Sequence, residues 1–505
     1  MSNANFYSAF ARSANFDAER VALEMPDGRT WSYGQLDAAV ARYAVLLDSQ
    51  GLGPGDRVAV QVDKSPQSLF LYLACLRAGF VYLPLNTAYP PAELAYFLAD
   101  AEPAVIVCRP EMEREVRVLV EAQQIDARVF TLDGAGGGSL PAGLDSEVKD
   151  YPIRAVAPSE LAVIIYTSGT TGRSKGAMLT HRNLVSNAQV LVDYWAFTSN
   201  DVLLHALPIF HVHGLFVANH CALLSGARML WHAKFEVTAV MRDLPRASVM
   251  MGVPTFYTRL LAEPDFCAEL CAHPRLFISG SAPLLIDTFR EFKARTGHTV
   301  LERYGMSEAG MITSNPVKGE RRGGTVGFPL PGVSIRIADA QDQPLQVGAT
   351  GSIQIRGDNV FAGYWRNPEK TREEFTSDGW FRTGDVGAFD ADGYLAIVGR
   401  VKDLIITGGY NVYPKEIELA IDAIPGVAES AVIGVSHADF GEAVVAVVVP
   451  EPGVASPTES AIISHLKTQL ANYKVPKRVH FVSDLPRNTM GKVQKNRLRD
   501  QFSTA

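Results

Sequence analysis

Residues 166–176 read Tyr-Thr-Ser-Gly-Thr-Thr-Gly-Arg-Ser-Lys-Gly and follow an apolar run at 161–165. Glycines let a backbone turn tightly and aim its N–H groups at one point, while hydroxyls and a lysine add donors. Thr167, Ser168, Gly169, Thr170, Thr171, Gly172 and Lys175 together therefore suit a polyphosphate. The spacing differs from the G-x4-G-K-[ST] of the common NTPase loop, so that mechanism is set aside. Further along stand carboxylates and cations with polar or glycine neighbours: Glu308, Asp385, Arg400, Lys402 and Lys492. Taken singly, Asp385 could cap a turn and Lys492 could be one of several solvated tail cations.

The elements that must position these groups alternate from the start. Residues 57–62 (RVAVQV), 79–85 (GFVYLPL) and 104–108 (AVIVC) read as strands. Residues 65–78, with Leu69, Leu73 and Leu76 on one face, and 91–99 read as helices. Apolar strands separated by helices predict an α/β fold with parallel sheets covered on both sides. From 335 to 364 the chain is strand-like and punctuated by glycine. After Lys402 come a helix at 416–424, strands at 429–433 and 443–449, and a helix at 458–470. The expected organisation is an N-terminal domain over 1–401 and a small α+β domain over 402–505, with the boundary at Lys402.

Composition narrows the function classes. The 505 residues are 47% hydrophobic, which excludes a disordered chain. With 54 acidic and 47 basic residues the net charge is −7, so no chain-wide basic footprint for nucleic acid exists. The N-terminal stretch has no apolar core of the secretory kind. The apolar window 203–224 contains Pro208, His205, His211, His213 and His220, too many polar groups for a membrane helix. Five cysteines, unevenly spaced, suggest reduced thiols in a cytoplasmic protein. Cys267-x3-Cys271-x-His273 lacks a second ligand pair for zinc. In the Gly-rich loop 133–145, the GGGSL around Ser139 resembles a pantetheine-bearing segment, but its flanks belong to an alternating sheet.

The loop at 166–176 resembles the phosphate loop of the adenylate-forming superfamily, with Ser174 where that family commonly has proline. Further motifs follow in family order along nearly the whole chain. Gly280-Ser281-Ala282-Pro283-Leu284 resembles the segment that lines adenine. Tyr304-Gly305-Met306-Ser307-Glu308 resembles the motif whose aromatic ring stacks on adenine and whose glutamate helps hold Mg²⁺. Phe381-Arg382-Thr383-Gly384-Asp385 resembles the ribose-gripping motif; two carboxylate oxygens can accept from both ribose hydroxyls. Gly399-Arg400-x-Lys402-Asp403 resembles the hinge, with Arg400 near the ribose and Lys402 as pivot. Pro486-Arg487-Asn488-Thr489-Met490-Gly491-Lys492 resembles the segment carrying the catalytic lysine.

The resemblance implies a large N-terminal domain of parallel sheets flanked by helices, a β-rich subdomain, and a mobile C-terminal domain. It implies ATP and Mg²⁺, the ion held by Thr167 and Glu308, with CoA as thiol co-substrate. A carboxylate becomes an acyl donor by attacking the α-phosphate of ATP, expelling pyrophosphate; positioning and charge stabilisation dominate such a step. Lys492 would supply the positive charge. Gly408 and Gly409 would lie beside the pantetheine arm, and Arg259 is a further candidate for CoA. Acylation of Lys492 by a protein acetyltransferase, reversed by a deacetylase, would erase its charge.

Arg303 precedes the Tyr304 motif, at a position that the resemblance places near the acyl pocket. A buried guanidinium calls for a carboxylate partner, and a diacid would provide one, malonate being the smallest reasonable choice. His211 and Ser281 are expected as additional donors; His205, His213 and His220 are read as structural. The wording E-R-Y-G-M-S-E with S-G-S-A-P-L resembles the malonyl-CoA synthetases of the superfamily. Methylmalonate is a further candidate acid. Competing readings are a ligase for another short acid, an adenylation enzyme loading a carrier protein, and a nucleotide-binding regulator without catalysis.

Overall fold

The run Val105–Cys108 is buried at every position and pairs in parallel on both sides, with Arg57–Gln61 and Arg128–Thr131. That is what an uninterrupted apolar strand requires. In the computed structural model, residues 3–167, 174–407, 410–437, 441–488 and 491–503 are described. They belong to two compact units: Met1–Ser334 with Arg356–Phe375, and Ile335–Ile355 with Thr376–Ala505.

The first unit holds two large sheets. The six-stranded sheet runs Arg128–Thr131, Val105–Cys108, Arg57–Gln61, Val81–Pro84, Leu161–Thr167 and Lys175–Thr180, only the last pairing being antiparallel. The nine-stranded sheet has a parallel centre: Leu301–Met306, Leu276–Ser279, Val249–Gly252, Val202–His205 and Arg228–Trp231. In such sheets, ligands gather beyond the carboxyl ends of the strands. Thr167, His205 and Ser279 each end a strand, and Gly280 follows.

Local signals set the element ends. The helix expected at 65–78 runs Pro66–Ala78 because Ser65 caps it: Ser65 Oγ accepts from Ser68 N–H, and Ser68 Oγ accepts from Ser65 N–H. Every residue of that helix except Gln67 is buried. Residues 133–145 include a short helix, Ser139–Ala142. Ser139 Oγ accepts from Thr131 N–H at 2.9 Å and its own N–H donates to Thr131 Oγ1 at 2.9 Å, so this serine closes a loop.

The second unit contains a four-stranded sheet over Ser334–Ala338, Gly351–Arg356, Phe381–Phe389 and Leu395–Arg400. It also contains a five-stranded sheet built around Val427–His437 and Gly441–Pro450, with helices Pro414–Asp422 and Glu459–Gln469. The compact units therefore part near 335 and 376, and Lys402 lies within the second. The reason is packing: helix Pro414–Asp422 makes contacts with strand Leu395–Arg400. Among the described residues, no helix is long and apolar enough to cross a membrane. The five cysteines are free thiols, and no cluster of metal-ligating side chains occurs among the described residues.

Candidate active site

In the first unit, strand Leu301–Met306 leaves its parallel neighbour after Glu302 and forms an antiparallel hairpin with Gly310–Ser314. Alternation along the strand sends Glu302 and Arg303 to opposite faces. Glu302 accepts from Gly324 N–H at 3.2 Å, whereas the Arg303 guanidinium is buried, 4% exposed, against Gly280. Its Nε and Nη2 have no hydrogen-bond partner among the described residues. Burial brings the Arg303 pKa down to about 9. Moving a cation out of water carries a penalty on the order of several kcal/mol, so an unpaired guanidinium in the interior signals a ligand that supplies the charge.

Ser281 adjoins this group with φ +73°, in the left-handed region that non-glycine residues seldom occupy. Its hydroxyl lies 3.3 Å from His213 Nδ1. His213, expected to be structural, is fully buried and opens a π-helical turn, His213–Ala218, of a kind often found at functional sites. Burial, followed by the Arg303 charge, lowers its pKa well below the usual histidine value, so the ring is neutral. Ser281 thus occupies Nδ1 of the ring, while Nε2 has no partner among the described residues. His211, expected as a further donor to the acid, accepts from the His213 backbone N–H through Nδ1 at 3.3 Å. Two residues of helical turn separate the rings, and only the second reaches Ser281. Ser279 Oγ is also buried without a partner among the described residues.

At the end of strand Leu161–Thr167, Thr167 Oγ1 donates to Glu308 Oε1 at 3.5 Å, and Tyr364 OH donates to the same oxygen at 3.1 Å. Lys175 Nζ stands over the Tyr364 ring, 5.2 Å from its centroid. The tyrosine thus bridges the lysine of the phosphate loop and the glutamate of the Tyr304 motif. Nothing in the sequence had marked Tyr364. Tyr304 is 8% exposed, Gly305 packs against the Gly310 carbonyl, and Met306 and Ser307 are half-buried. Ala282 is half-buried as well. Arg259 is exposed on helix Pro254–Leu261. Ser168, Gly169, Thr170, Thr171, Gly172, Gly408 and Gly409 lie outside the described residues.

In the second unit, Asp385 and Arg400 face each other across strands Phe381–Phe389 and Leu395–Arg400. Arg400 Nε lies 2.9 Å from Asp385 Oδ1, and the Asp385 backbone N–H donates to Thr383 Oγ1 at 3.1 Å. Asp385 is 3% exposed. Lys402 is exposed on the single helical turn Val401–Asp403. Lys492 is exposed on a closed turn: its N–H donates to Asn488 Oδ1 at 3.0 Å, and its carbonyl accepts from Asn488 N–H at 2.9 Å. Gly491 makes that turn with φ +76°.

A family model for AMP-binding enzymes matches residues 10–365, and one for the AMP-binding enzyme C-terminal domain matches residues 416–492. The chain belongs to the AMP-binding enzyme family. Within it, the chain is 33% identical to a malonate–CoA ligase of Arabidopsis thaliana, over 98% of this chain and 88% of that one. It is 36% identical to a feruloyl-CoA synthase of Amycolatopsis, over 94% of each. It is 53% identical to the ATP-bound MatB of Rhodopseudomonas palustris, with a TM-score of 0.97 over 99% of each chain. Family membership brings ATP-dependent, AMP-forming chemistry. The acid differs between relatives of similar identity and has to be read from the site.

Proposed function

We propose that this enzyme joins malonate to CoA at the expense of ATP, through malonyl-adenylate. The observation that carries the choice of acid is the buried Arg303, whose Nε and Nη2 have no partner among the described residues, beside His213 and Ser281. One carboxylate of malonate pairs with that guanidinium and accepts from His213 Nε2–H. The other is left to attack the α-phosphate. A monocarboxylate would leave the cation buried and uncompensated, and sites whose polar groups stay unpaired discriminate strongly. The malonate–CoA ligase of Arabidopsis and the ATP held by MatB support the assignment.

The nucleotide is read onto Tyr304 and the Gly280–Leu284 turn for adenine, Asp385 with Arg400 for ribose, and Lys175 with the phosphate loop for the phosphates. Thr167 and Glu308 are hard oxygen donors within reach of each other, the donor set that suits Mg²⁺ shared with phosphates. When bound there, the ion neutralises phosphate charge. Tyr364 keeps the Glu308 carboxylate oriented and Lys175 aligned. Lys492 brings an ammonium to the carboxylate and α-phosphate during adenylation, and acylation of its Nζ would abolish that step. Rotation about Lys402 then exchanges it for the face that admits the thiol. CoA sulfur attacks the acyl carbonyl, AMP departs, and the thiol proton passes to solvent.

The test is pyrophosphate and AMP release with a panel of short mono- and dicarboxylates. Malonate is expected to give the highest kcat/KM. Acetate or hexanoate releasing AMP where malonate gives none would overturn the choice of acid.

A further inference from the structure

We infer that Lys64 is a positioning residue for the acid-binding end of the site, holding the backbone that carries His213. This rests on the malonate reading. Lys64 lies between strand Arg57–Gln61 and helix Pro66–Ala78, and it is 8% exposed. Its Nζ donates to the carbonyls of His205 at 2.8 Å and Leu207 at 3.0 Å, and to His205 Nδ1 at 3.0 Å. The ammonium also stands 4.3 Å from the centroid of the Trp231 ring. It thereby ties the six-stranded sheet to the ends of two strands of the nine-stranded sheet.

All three ammonium protons have acceptors, yet no carboxylate is paired with Lys64 among the described residues, and burial alone drives its pKa down. An apolar side chain of similar length would fill the space without burying a charge, and such replacements are often stabilising. The lysine is therefore unexplained by packing. The protons it donates explain it.

His205 relays the restraint. Because Nδ1 accepts from Lys64, the ring proton is on Nε2, which donates to Asn219 Oδ1 at 2.9 Å and to the Gly214 carbonyl at 3.2 Å. A Cβ on Gly214 would stand 2.0 Å from the Pro208 carbonyl oxygen, so the chain doubles back tightly between these residues. Lys64 fixes the entry of that loop at Leu207, and His205 fixes its exit at Gly214. His213 rides between them, with Nδ1 on Ser281 and Nε2 turned to no partner among the described residues.

The experiment is steady-state kinetics of Lys64→Met with malonate and ATP varied separately. Freeing the loop is expected to raise the malonate KM on the order of tenfold or more, since misplacement by about 1 Å can weaken a site a hundredfold. KM for ATP and kcat should stay within about twofold, a split that loss of folded protein does not produce. An unchanged malonate KM, or equal rises for malonate and ATP, overturns the inference. Should Lys64→Met fail to fold, Asn219→Ser decides. Weakening the His205 contact is expected to raise the malonate KM by about threefold, and no change overturns the inference. Parent enzyme that does not use malonate overturns the underlying reading as well; parent enzyme that does, with a variant of unchanged malonate KM, overturns only the role of Lys64.

Discussion

The Arg303 guanidinium lies directly against the α-carbon of Gly280: a Cβ at Gly280 would stand 2.4 Å from Arg303 Cζ and 2.5 Å from Nη1. The glycine that opens the Gly280–Leu284 turn thus makes room for the cation proposed to read the acid. Gly280→Ala should fold, because the obstructed group is the end of a flexible side chain, but the guanidinium must move. We expect the malonate KM to rise on the order of tenfold or more, with a smaller change for ATP. Pyrophosphate release under varied malonate and varied ATP measures both. Equal losses would place the clash elsewhere.

Arg303→Met separates function from stability. Removing an unpaired buried cation relieves a penalty, so the ligand-free variant should melt no lower than the parent. Its kcat/KM for malonate should fall by roughly a hundredfold or more. The rise in melting temperature that malonate gives the parent should disappear. A variant that melts lower and still responds to malonate would contradict the assignment.

The pH dependence has a definite sign. Arg303 has its pKa lowered to about 9 by burial, so the free enzyme carries the charge below that pH and loses it above. The kcat/KM for malonate reports free-enzyme groups, and should fall as pH rises through about 9. Arg303→Met should lack this fall. For stability the sign is opposite: the unfolded arginine keeps its proton to higher pH, so stability from this group rises above about 9. Kinetics and melting of parent and variant across pH 7–10 check both.

Lys492→Gln removes the ammonium and keeps the length. Malonate-dependent exchange of pyrophosphate into ATP should drop by about 10²–10³, the usual loss when one preorganised charge is removed from a transition state. Transfer from synthetic malonyl-adenylate to CoA should stay within roughly threefold, since that step does not use the ammonium. Equal losses in both halves would remove Lys492 from its proposed role.

The alternating strands and helices of the first unit were legible in the sequence because buried parallel strands are written as short apolar runs, as at Val105–Cys108 and Leu161–Thr167. Arg303 was marked through the resemblance of the motif that follows it, and its burial became visible only in the structure. What stayed hidden depends on contacts distant in sequence. His211 and His213 are two residues apart with similar neighbours, and only the π-helical turn decides which ring meets Ser281. Tyr364 acquires meaning from Glu308 and Lys175, and Lys64 from His205 and Leu207. No local periodicity encodes such pairs. The packing of strand Leu395–Arg400 with a helix from beyond Lys402 is another such contact.

The left-handed backbone at Ser281 limits how this pocket can be redesigned. Glycine or asparagine fits that conformation readily, and a β-branched residue does not. Widening the proposed acid pocket for bulkier diacids by exchanging this serine would bend the same short stretch onto which adenine is proposed to bind. Variants meant to take bulkier diacids would do better to alter the wall contributed by the π-helical turn His213–Ala218, which is separate in sequence from the Gly280–Leu284 turn.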